Sequence, residues 1–163
     1  MKTYITGTTR GLGEALLERF QREMIFDDVI GLNRSDFDIS NESSRQFMAS
    51  LPFDIFINNA HDGFAQTELL YDLFVKNRNR ECTLINIGSV SADGDRKEIN
   101  RYAIQKKALD AACTQLQLVE SKCKIIQVKL GRMETEMVKH ISAPKMDVVD
   151  VARDIFDVYE MSQ

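Results

Sequence analysis

The chain has 163 residues, of which 44% are hydrophobic and 28% are charged, as is usual for a soluble globular domain. The formal net charge of -4 argues against a nucleic-acid-binding surface, and no apolar run is long enough to span a membrane. The N-terminus does not resemble a secretory signal, because a strand-like run begins at Lys2. We expect a single soluble domain over residues 1–163, located in the cytoplasm and binding neither nucleic acid nor membrane.

The cysteines and histidines do not have the spacing of a metal site. Cys82, Cys113 and Cys123 are far apart in the chain, and so are His61 and His140. An odd number of cysteines suits a reducing compartment. We expect three buried thiols and no bound metal.

A short strand followed by a glycine-rich turn opens the chain. Residues 2–6 form a β-type run, and the turn reads Gly7-Thr-Thr-Arg-Gly11-Leu-Gly13 before a helical apolar pattern. Glycines let a backbone approach a pyrophosphate closely, and a helix N-terminus offers free N–H groups to an anion. The pattern favours a dinucleotide site, although the same turn also occurs as a plain βα connection.

The residues after the second strand bear on which nucleotide the site takes. Residues 28–32 form that strand, and Asn33, Arg34 and Ser35 follow it. In dinucleotide-binding folds an acidic residue here binds the ribose 2′-hydroxyl, whereas an arginine accommodates a 2′-phosphate. Arg34, with Arg10 in the glycine turn, therefore favours NADP(H) over NAD(H). The alternative is that Arg34 is only a solvated surface residue.

The rest of the chain continues the alternation of strands and helices. Asp38 and Ile39 follow the second strand too closely for an intervening helix, so this edge of the sheet is expected to be abbreviated. Further strands are predicted at 53–57, 83–88 and 124–130, and helices after Ser40 or Asn41, over 66–77, over 100–120 and after Asp147. The predicted fold is α/β, a Rossmann-like doubly wound parallel sheet of about six strands in the order 3-2-1-4-5-6, with helices on both faces.

A hydroxyl, a phenol and an amine lie close together in the sequence after the 83–88 strand. Ser89 ends that strand, and Tyr102 and Lys106 lie four residues apart at the start of the next predicted helix, so both project from one face. A fixed ammonium favours the phenolate, which suits a tyrosine that exchanges a proton with a carbonyl oxygen. The spacing alone is also common in ordinary surface pairs.

Together these motifs resemble those of the short-chain dehydrogenase/reductase family. Thr6-Gly7-x-x-x-Gly11-x-Gly13 is similar to its cofactor motif, and Tyr102-x-x-x-Lys106 to its active-site helix. Asn58-Asn59-Ala60 resembles its Asn-Asn-Ala-Gly motif, with His61 in place of the glycine. Asn86-Ile-Gly-Ser89 resembles its catalytic-serine strand, and Leu130-Gly131-x-x-x-Thr135 its Pro-Gly-x-x-x-Thr segment, with leucine in place of proline.

The resemblance implies a set of site residues. Ser89, Tyr102 and Lys106 would be catalytic, Lys106 would also bind the nicotinamide ribose, and Thr135 would bind the nicotinamide carboxamide. The implied cofactor-binding residues are Gly7, Thr9, Arg10, Gly11, Leu12, Gly13, Asn33, Arg34, Ser35, Asp38, Ile39, Asn59, Ala60, Tyr102, Lys106, Gly131 and Thr135.

The chain departs from the family in length. Family members are usually longer, the connection after Thr135 is short, and the usual final strand is absent. The family's catalytic asparagine is not placed, and Asn77 and Asn79 are its nearest candidates.

The function implied is an NADP(H)-dependent oxidoreductase that reduces a small-molecule carbonyl or oxidises the alcohol. The alternative is a non-catalytic NADP(H)-binding sensor or scaffold protein. Family members commonly pair through the helices corresponding to 66–77 and 100–120, so a homodimer or homotetramer is expected.

Overall fold

Parallel strands alternate with helices along the chain. The computed structural model describes residues 1–25, 27–94, 97–131 and 146–163. The strands are β1 (Lys2–Thr6), β2 (Asp28–Leu32), β3 (Ile55–Asn58), β4 (Cys82–Ser89) and β5 (Cys123–Leu130). The helices are α1 (Gly11–Glu23), α2 (Glu42–Ser50), α3 (Ala65–Asn77), α4 (Arg101–Gln117) and α5 (Val148–Ser162), with a short 3-10 turn at Val90–Ala92.

The strands form one parallel sheet in the order β2-β1-β3-β4-β5. Because β1 lies between β2 and β3, the loops that follow these three strands meet at the same edge of the sheet. Five consecutive residue pairs join β1 to β2, from Lys2 opposite Asp28 to Thr6 opposite Leu32. The predicted α/β, Rossmann-like fold class is confirmed.

The strand count differs from the expected number of about six. Asp38 and Ile39, expected at the abbreviated edge, do not form a strand. The Asp38 carboxylate instead accepts hydrogen bonds from the backbone N and the Oγ of Ser40, at 2.9 and 2.7 Å. The side chain of Asn41 then caps α2 by accepting a bond from Ser44 N. Without a strand between β2 and β3, the predicted order 3-2-1-4-5-6 reduces to the observed one.

Both faces of the sheet carry helices. On one face α1 and α5 pack together, and Phe20 contacts Phe156 edge-on with ring centroids 5.0 Å apart. On the other face α2, α3 and α4 cover the sheet, with Leu73 and Phe56 fully buried. Burying apolar surface on both faces is what stabilises a parallel sheet. Among the described residues, no helix is both long and apolar enough to cross a membrane.

Side-chain caps set the start of three helices. Asn41 caps α2, Asn100 caps α4 by accepting a bond from Ala103 N, and Asp147 caps α5 by accepting bonds from Val149 N and Asp150 N. The cap at Asn100 begins α4 one residue before Tyr102. This placement puts Tyr102 in the first turn and Lys106 one turn further along.

Candidate functional site

The glycine turn after β1 has the backbone geometry that its sequence predicts. Gly7 and Gly11 have φ angles of 72° and 60°, values that side chains on L-residues strongly disfavour. Gly13 packs so closely that an added Cβ would lie 1.9 Å from the Gly7 carbonyl oxygen. A side chain at position 13 would therefore push α1 away from the turn.

The start of α1 offers its first-turn amides to an anion. Its N-cap residue, Arg10, makes no side-chain cap bond. Thr9 and Arg10 are exposed, whereas the Leu12 side chain is buried in the core. Leu12 could therefore contribute only its backbone to a ligand. Free N–H groups and the helix dipole suit a phosphate, so these residues fit the pyrophosphate of a dinucleotide.

The asparagine motif after β3 holds the glycine turn in place. Asn59 donates from Nδ2 to the Thr6 carbonyl at 3.0 Å, and the backbone N groups of Asn59 and Ala60 donate to Thr6 Oγ1 at 3.0 and 2.9 Å. A Cβ added to Gly7 would lie 3.1 Å from Ala60 Cβ. Asn59 and Ala60 therefore form one wall of the turn.

The loop after β2 contacts the glycine turn. Asn33 Oδ1 accepts bonds from Thr8 N and Thr8 Oγ1, at 3.3 and 2.7 Å, so its side chain anchors the glycine turn. Arg34 follows, with a side chain 75% exposed, and pairs with Asp38 at 3.5 Å and Asp62 at 3.1 Å. The hydrogen bonds from Ser40 are the main reason, and Arg34 a further one, why the pKa of Asp38 lies below its ordinary value.

Ser35 and Ile39 have local structural roles. Ser35 Oγ donates to Asp36 Oδ2 at 3.0 Å. Ile39 is 5% exposed and packs in the core beside α2, so its side chain faces away from solvent. Any contact of Ile39 with a nucleotide would be through its backbone.

Lys106 is a buried cation beside the ring of Tyr102. Only 3% of Lys106 is exposed, and its Nζ lies 5.6 Å from the centroid of the Tyr102 ring. Nζ donates to Gln66 Oε1 at 2.7 Å and to the Ile87 carbonyl at 3.0 Å. Burial lowers the pKa of Lys106 to about 8, with a weaker opposing effect from Asp110. The ammonium is thus fixed in position by uncharged acceptors.

Gln66 is a residue of this site that the sequence prediction missed. It is 2% exposed and lies in the first turn of α3. Its Nε2 donates to the carbonyl oxygens of Asn58 and Ile87, at 2.8 and 3.1 Å. The signal was present in the sequence, because Gln66 precedes the buried Leu69, Leu70 and Leu73 by three, four and seven residues and so lies on their face.

The asparagine candidates for proton relay lie elsewhere. Asn77 is buried at the far end of α3, where its Nδ2 donates to the carbonyls of Ala49 and Leu73. Asn79 is exposed just beyond that helix. Asn77 therefore stabilises the packing of α2 on α3, and Gln66 is the α3 side chain that contacts Lys106.

Ser89 ends β4, two residues after the carbonyl that Lys106 binds. It is 7% exposed, and its Oγ accepts a bond from Ser91 N at 3.1 Å. That bond starts the 3-10 turn and leaves the hydroxyl proton available for a ligand oxygen. Ser89 thus lies at the carboxyl end of the sheet, as predicted.

His61, in the loop after β3, contacts Tyr102. The two rings meet edge-on with centroids 4.9 Å apart. His61 Nε2 lies 3.0 Å from Gln105 Oε1 on α4. Burial and the charge of Lys106 lower the pKa of His61 from its ordinary value. The Tyr102 ring therefore contacts both an imidazole and an ammonium, and it still reaches solvent because it is 42% exposed.

Two further predicted site residues follow β5 in the sequence. Gly131 directly follows β5, and an added Cβ there would lie 3.5 Å from Met146 Sδ. Thr135, predicted to bind the nicotinamide carboxamide, lies outside the described residues.

Several solved structures with a similar fold are named as short-chain dehydrogenases. A short-chain dehydrogenase from Burkholderia cenocepacia, in complex with NADP, has a TM-score of 0.80 at 21% identity, covering 98% of this chain and 86% of its own. One from Sphingobium yanoikuyae, with NADPH, has a TM-score of 0.77 at 18% identity over 99% and 85%. One from Burkholderia phymatum, with NAD, has a TM-score of 0.73 at 15% identity over 98% and 85%.

The likeness covers nearly the whole of this chain, so its fold is that of the short-chain dehydrogenase/reductases. The names of these structures include both NAD and NADP as bound nucleotides. Neither a protein-family model nor a curated protein sequence matches the chain.

Proposed function

We propose that the protein is an NADP(H)-dependent oxidoreductase that interconverts a small-molecule carbonyl and its alcohol. The observation that carries this proposal is the buried ammonium of Lys106 beside the Tyr102 ring. A lysine is almost never fully buried without a reason. Here the cation lies at the same edge of the sheet as the glycine turn and Ser89.

The chemistry divides between the nucleotide and the chain. A bound nicotinamide supplies the hydride. Tyr102 donates the proton that the substrate oxygen needs during reduction, and Ser89 donates a hydrogen bond that polarises that oxygen. The fixed charge of Lys106 stabilises the phenolate that remains on Tyr102. In the oxidation direction the same groups act in reverse.

The preference for NADP(H) rests on charge. Arg10 and Arg34 lie in the connections that follow the neighbouring strands β1 and β2. Asn33, Arg34 and Ser35 place no carboxylate directly after β2. An arginine at that position suits a 2′-phosphate. The glycine turn and the uncapped start of α1 would hold the pyrophosphate.

Self-association belongs to the same proposal. Ile104 on α4 and Val75 on α3 are 56% and 68% exposed, and the two helices pack side by side. Leu118, just after α4, is 85% exposed. These apolar side chains suit a homodimer or homotetramer formed through α3 and α4.

Two measurements test the function in sequence. Equilibrium titration should show that the purified protein binds NADPH, and a screen of aldehydes and ketones should then find turnover. Tyr102→Phe should remove turnover and leave NADPH binding nearly unchanged. Tyr71→Phe is the matched control, because the Tyr71 hydroxyl bonds Gln115 on the exposed side of α3 and α4. Loss of both binding and turnover in Tyr102→Phe would instead make the residue structural.

A second candidate is an NADP(H)-binding sensor or scaffold without turnover. It is favoured by one observation: both bonds of Lys106 point to interior groups, Gln66 and the Ile87 carbonyl. A lysine that serves only to stabilise the fold would look the same. Tight NADPH binding with no turnover across a broad carbonyl panel would favour the sensor.

A further inference from the structure

Arg34 connects two loops across the proposed nucleotide cleft. Its Nη2 lies 3.1 Å from Asp62 Oδ2, and its Nε lies 3.5 Å from Asp38 Oδ2. Arg34 follows β2 and Asp62 follows β3, and β1 lies between these strands in the sheet. The Arg34–Asp62 ion pair therefore passes across the carboxyl end of β1, where the glycine turn begins.

From this geometry we propose that Asp62 is a specificity-determining residue, which competes with a 2′-phosphate for Arg34 and so weakens the preference for NADP(H). This inference rests on the proposed function, because it concerns the same nucleotide site. One guanidinium faces two carboxylates here, so the cluster is negative before a nucleotide arrives. A 2′-phosphate must share Arg34 with these carboxylates or displace one of them.

Asp62 is the carboxylate that can give way. Asp38 is fixed by its two bonds from Ser40 and lies at the longer distance from Arg34. The Asp62 side chain is 38% exposed, and it reaches Arg34 from the opposite loop. Its backbone carbonyl accepts a bond from Ala65 N, so the start of α3 is held without the carboxylate. Removing the Asp62 charge should therefore release Arg34 without disturbing the fold.

The expected effect is modest, because the pair is exposed. Exposed ion pairs are weak, so Asp62→Asn should raise NADPH affinity by about two- to fivefold. NADH has no 2′-phosphate and gains nothing from the released guanidinium. The ratio of the NADH to the NADPH dissociation constant should rise by about the same factor. Salt screens exposed charges, so the increase should shrink at high ionic strength.

The experiment titrates the full-length protein with NADPH and with NADH, at low and at high salt. Asp36→Asn is the matched control, because this carboxylate lies in the same loop and accepts a bond from Ser35 instead of pairing with Arg34. Asp62→Asn should raise the ratio and Asp36→Asn should leave it unchanged. In an Arg34→Ala background, Asp62→Asn should have no further effect, as a double-mutant cycle requires.

Three outcomes would overturn the inference. One is an unchanged or lowered ratio in Asp62→Asn while NADPH still binds, which would leave the proposed function intact. Another is an equal rise in Asp36→Asn, which would indicate a general effect of loop charge. The third is a wild-type protein that binds neither nucleotide, which would overturn the proposed function as well.

Discussion

Two cations at the carboxyl edge of the sheet are held in opposite ways. Lys106 is 3% exposed and bonds only uncharged acceptors, Gln66 Oε1 and the Ile87 carbonyl, among the described residues. The Arg34 side chain is 75% exposed and pairs with two carboxylates. Burying Lys106 costs free energy, and its fixed partners hold it in place. Placing Arg34 at the surface costs little free energy, and its side chain can exchange partners.

The difference shows what each position can do. A buried ammonium with fixed neighbours keeps its distance to the Tyr102 ring, which suits the placing of a proton donor. An exposed guanidinium is available to a charged group that comes from solution. Substitutions around Lys106 should therefore alter the free energy of unfolding. Substitutions around Arg34 should alter the preference between nucleotides.

The largest effect on stability is expected from Gln66→Leu. The substitution removes the short acceptor of a buried ammonium and the donor to the Asn58 and Ile87 carbonyls. The free energy of unfolding should fall by about 3 kcal/mol, as measured by urea denaturation. Gln115→Leu is the control, because that amide accepts a bond from Tyr71 at the surface. The control should change the free energy of unfolding by no more than about 0.5 kcal/mol. Equal losses of stability in the two variants would contradict the expected difference between buried and exposed positions.

A smaller effect should appear as a pH dependence of stability. Burial lowers the pKa of Lys106 to about 8 in the folded protein, whereas an unfolded lysine titrates near about 10.4. Between these values the unfolded state binds more protons, so rising pH favours folding. The free-energy penalty for burying the Lys106 ammonium is fully present below about pH 8, where the lysine is protonated in both the folded and the unfolded protein.

Lys106→Met provides the reference for this measurement, because it lacks the titrating amine. Wild-type stability relative to the variant should increase by roughly 2 kcal/mol between neutral pH and about pH 9.5. Urea denaturation of both proteins across this interval gives the difference. A constant difference would mean that the amine is hydrated in the folded protein.

The smallest effect on stability is expected from Arg34→Ala. Because the arginine is exposed, the free energy of unfolding should change by no more than about 0.5 kcal/mol. The ratio of NADH to NADPH dissociation constants should nevertheless fall, since the variant loses the cation for the 2′-phosphate. Thermal melting and nucleotide titration of the same sample give both numbers. A large drop in melting temperature would show that the ion pairs of Arg34 also stabilise the fold.

Local patterns in the sequence were sufficient to predict most of the fold. The glycine turn, the alternation of apolar strands with amphipathic helices, and the Asp147 cap all depend on residues near one another in the chain. The expected count of about six strands was too high, because the sheet has five and the residues near Asp38 and Ile39 do not form one. The short Asp38–Ser40 bonds form a turn there that competes with pairing to β2.

The candidate site was predicted less completely. Its motif residues were identified by their resemblance to those of a known family, and their roles remain predictions. Two partners were missed because they come from distant segments: Gln66 is 40 residues from Lys106, and Asp62 is 28 residues from Arg34. Local periodicity does not indicate which side chain of one loop meets which side chain of another.

The three cysteines give a direct measure of how often the sheet opens. Cys82 and Cys123 are paired in the β4–β5 register, and Cys113 lies on the buried face of α4; their exposures are 8%, 4% and 0%. Burial raises the pKa of Cys113 to about 12, so little of its own reactive thiolate exists in the closed protein. A thiol reagent can modify these residues only after this part of the structure opens. The rate of labelling therefore measures the local opening equilibrium beneath the proposed site without any mutation.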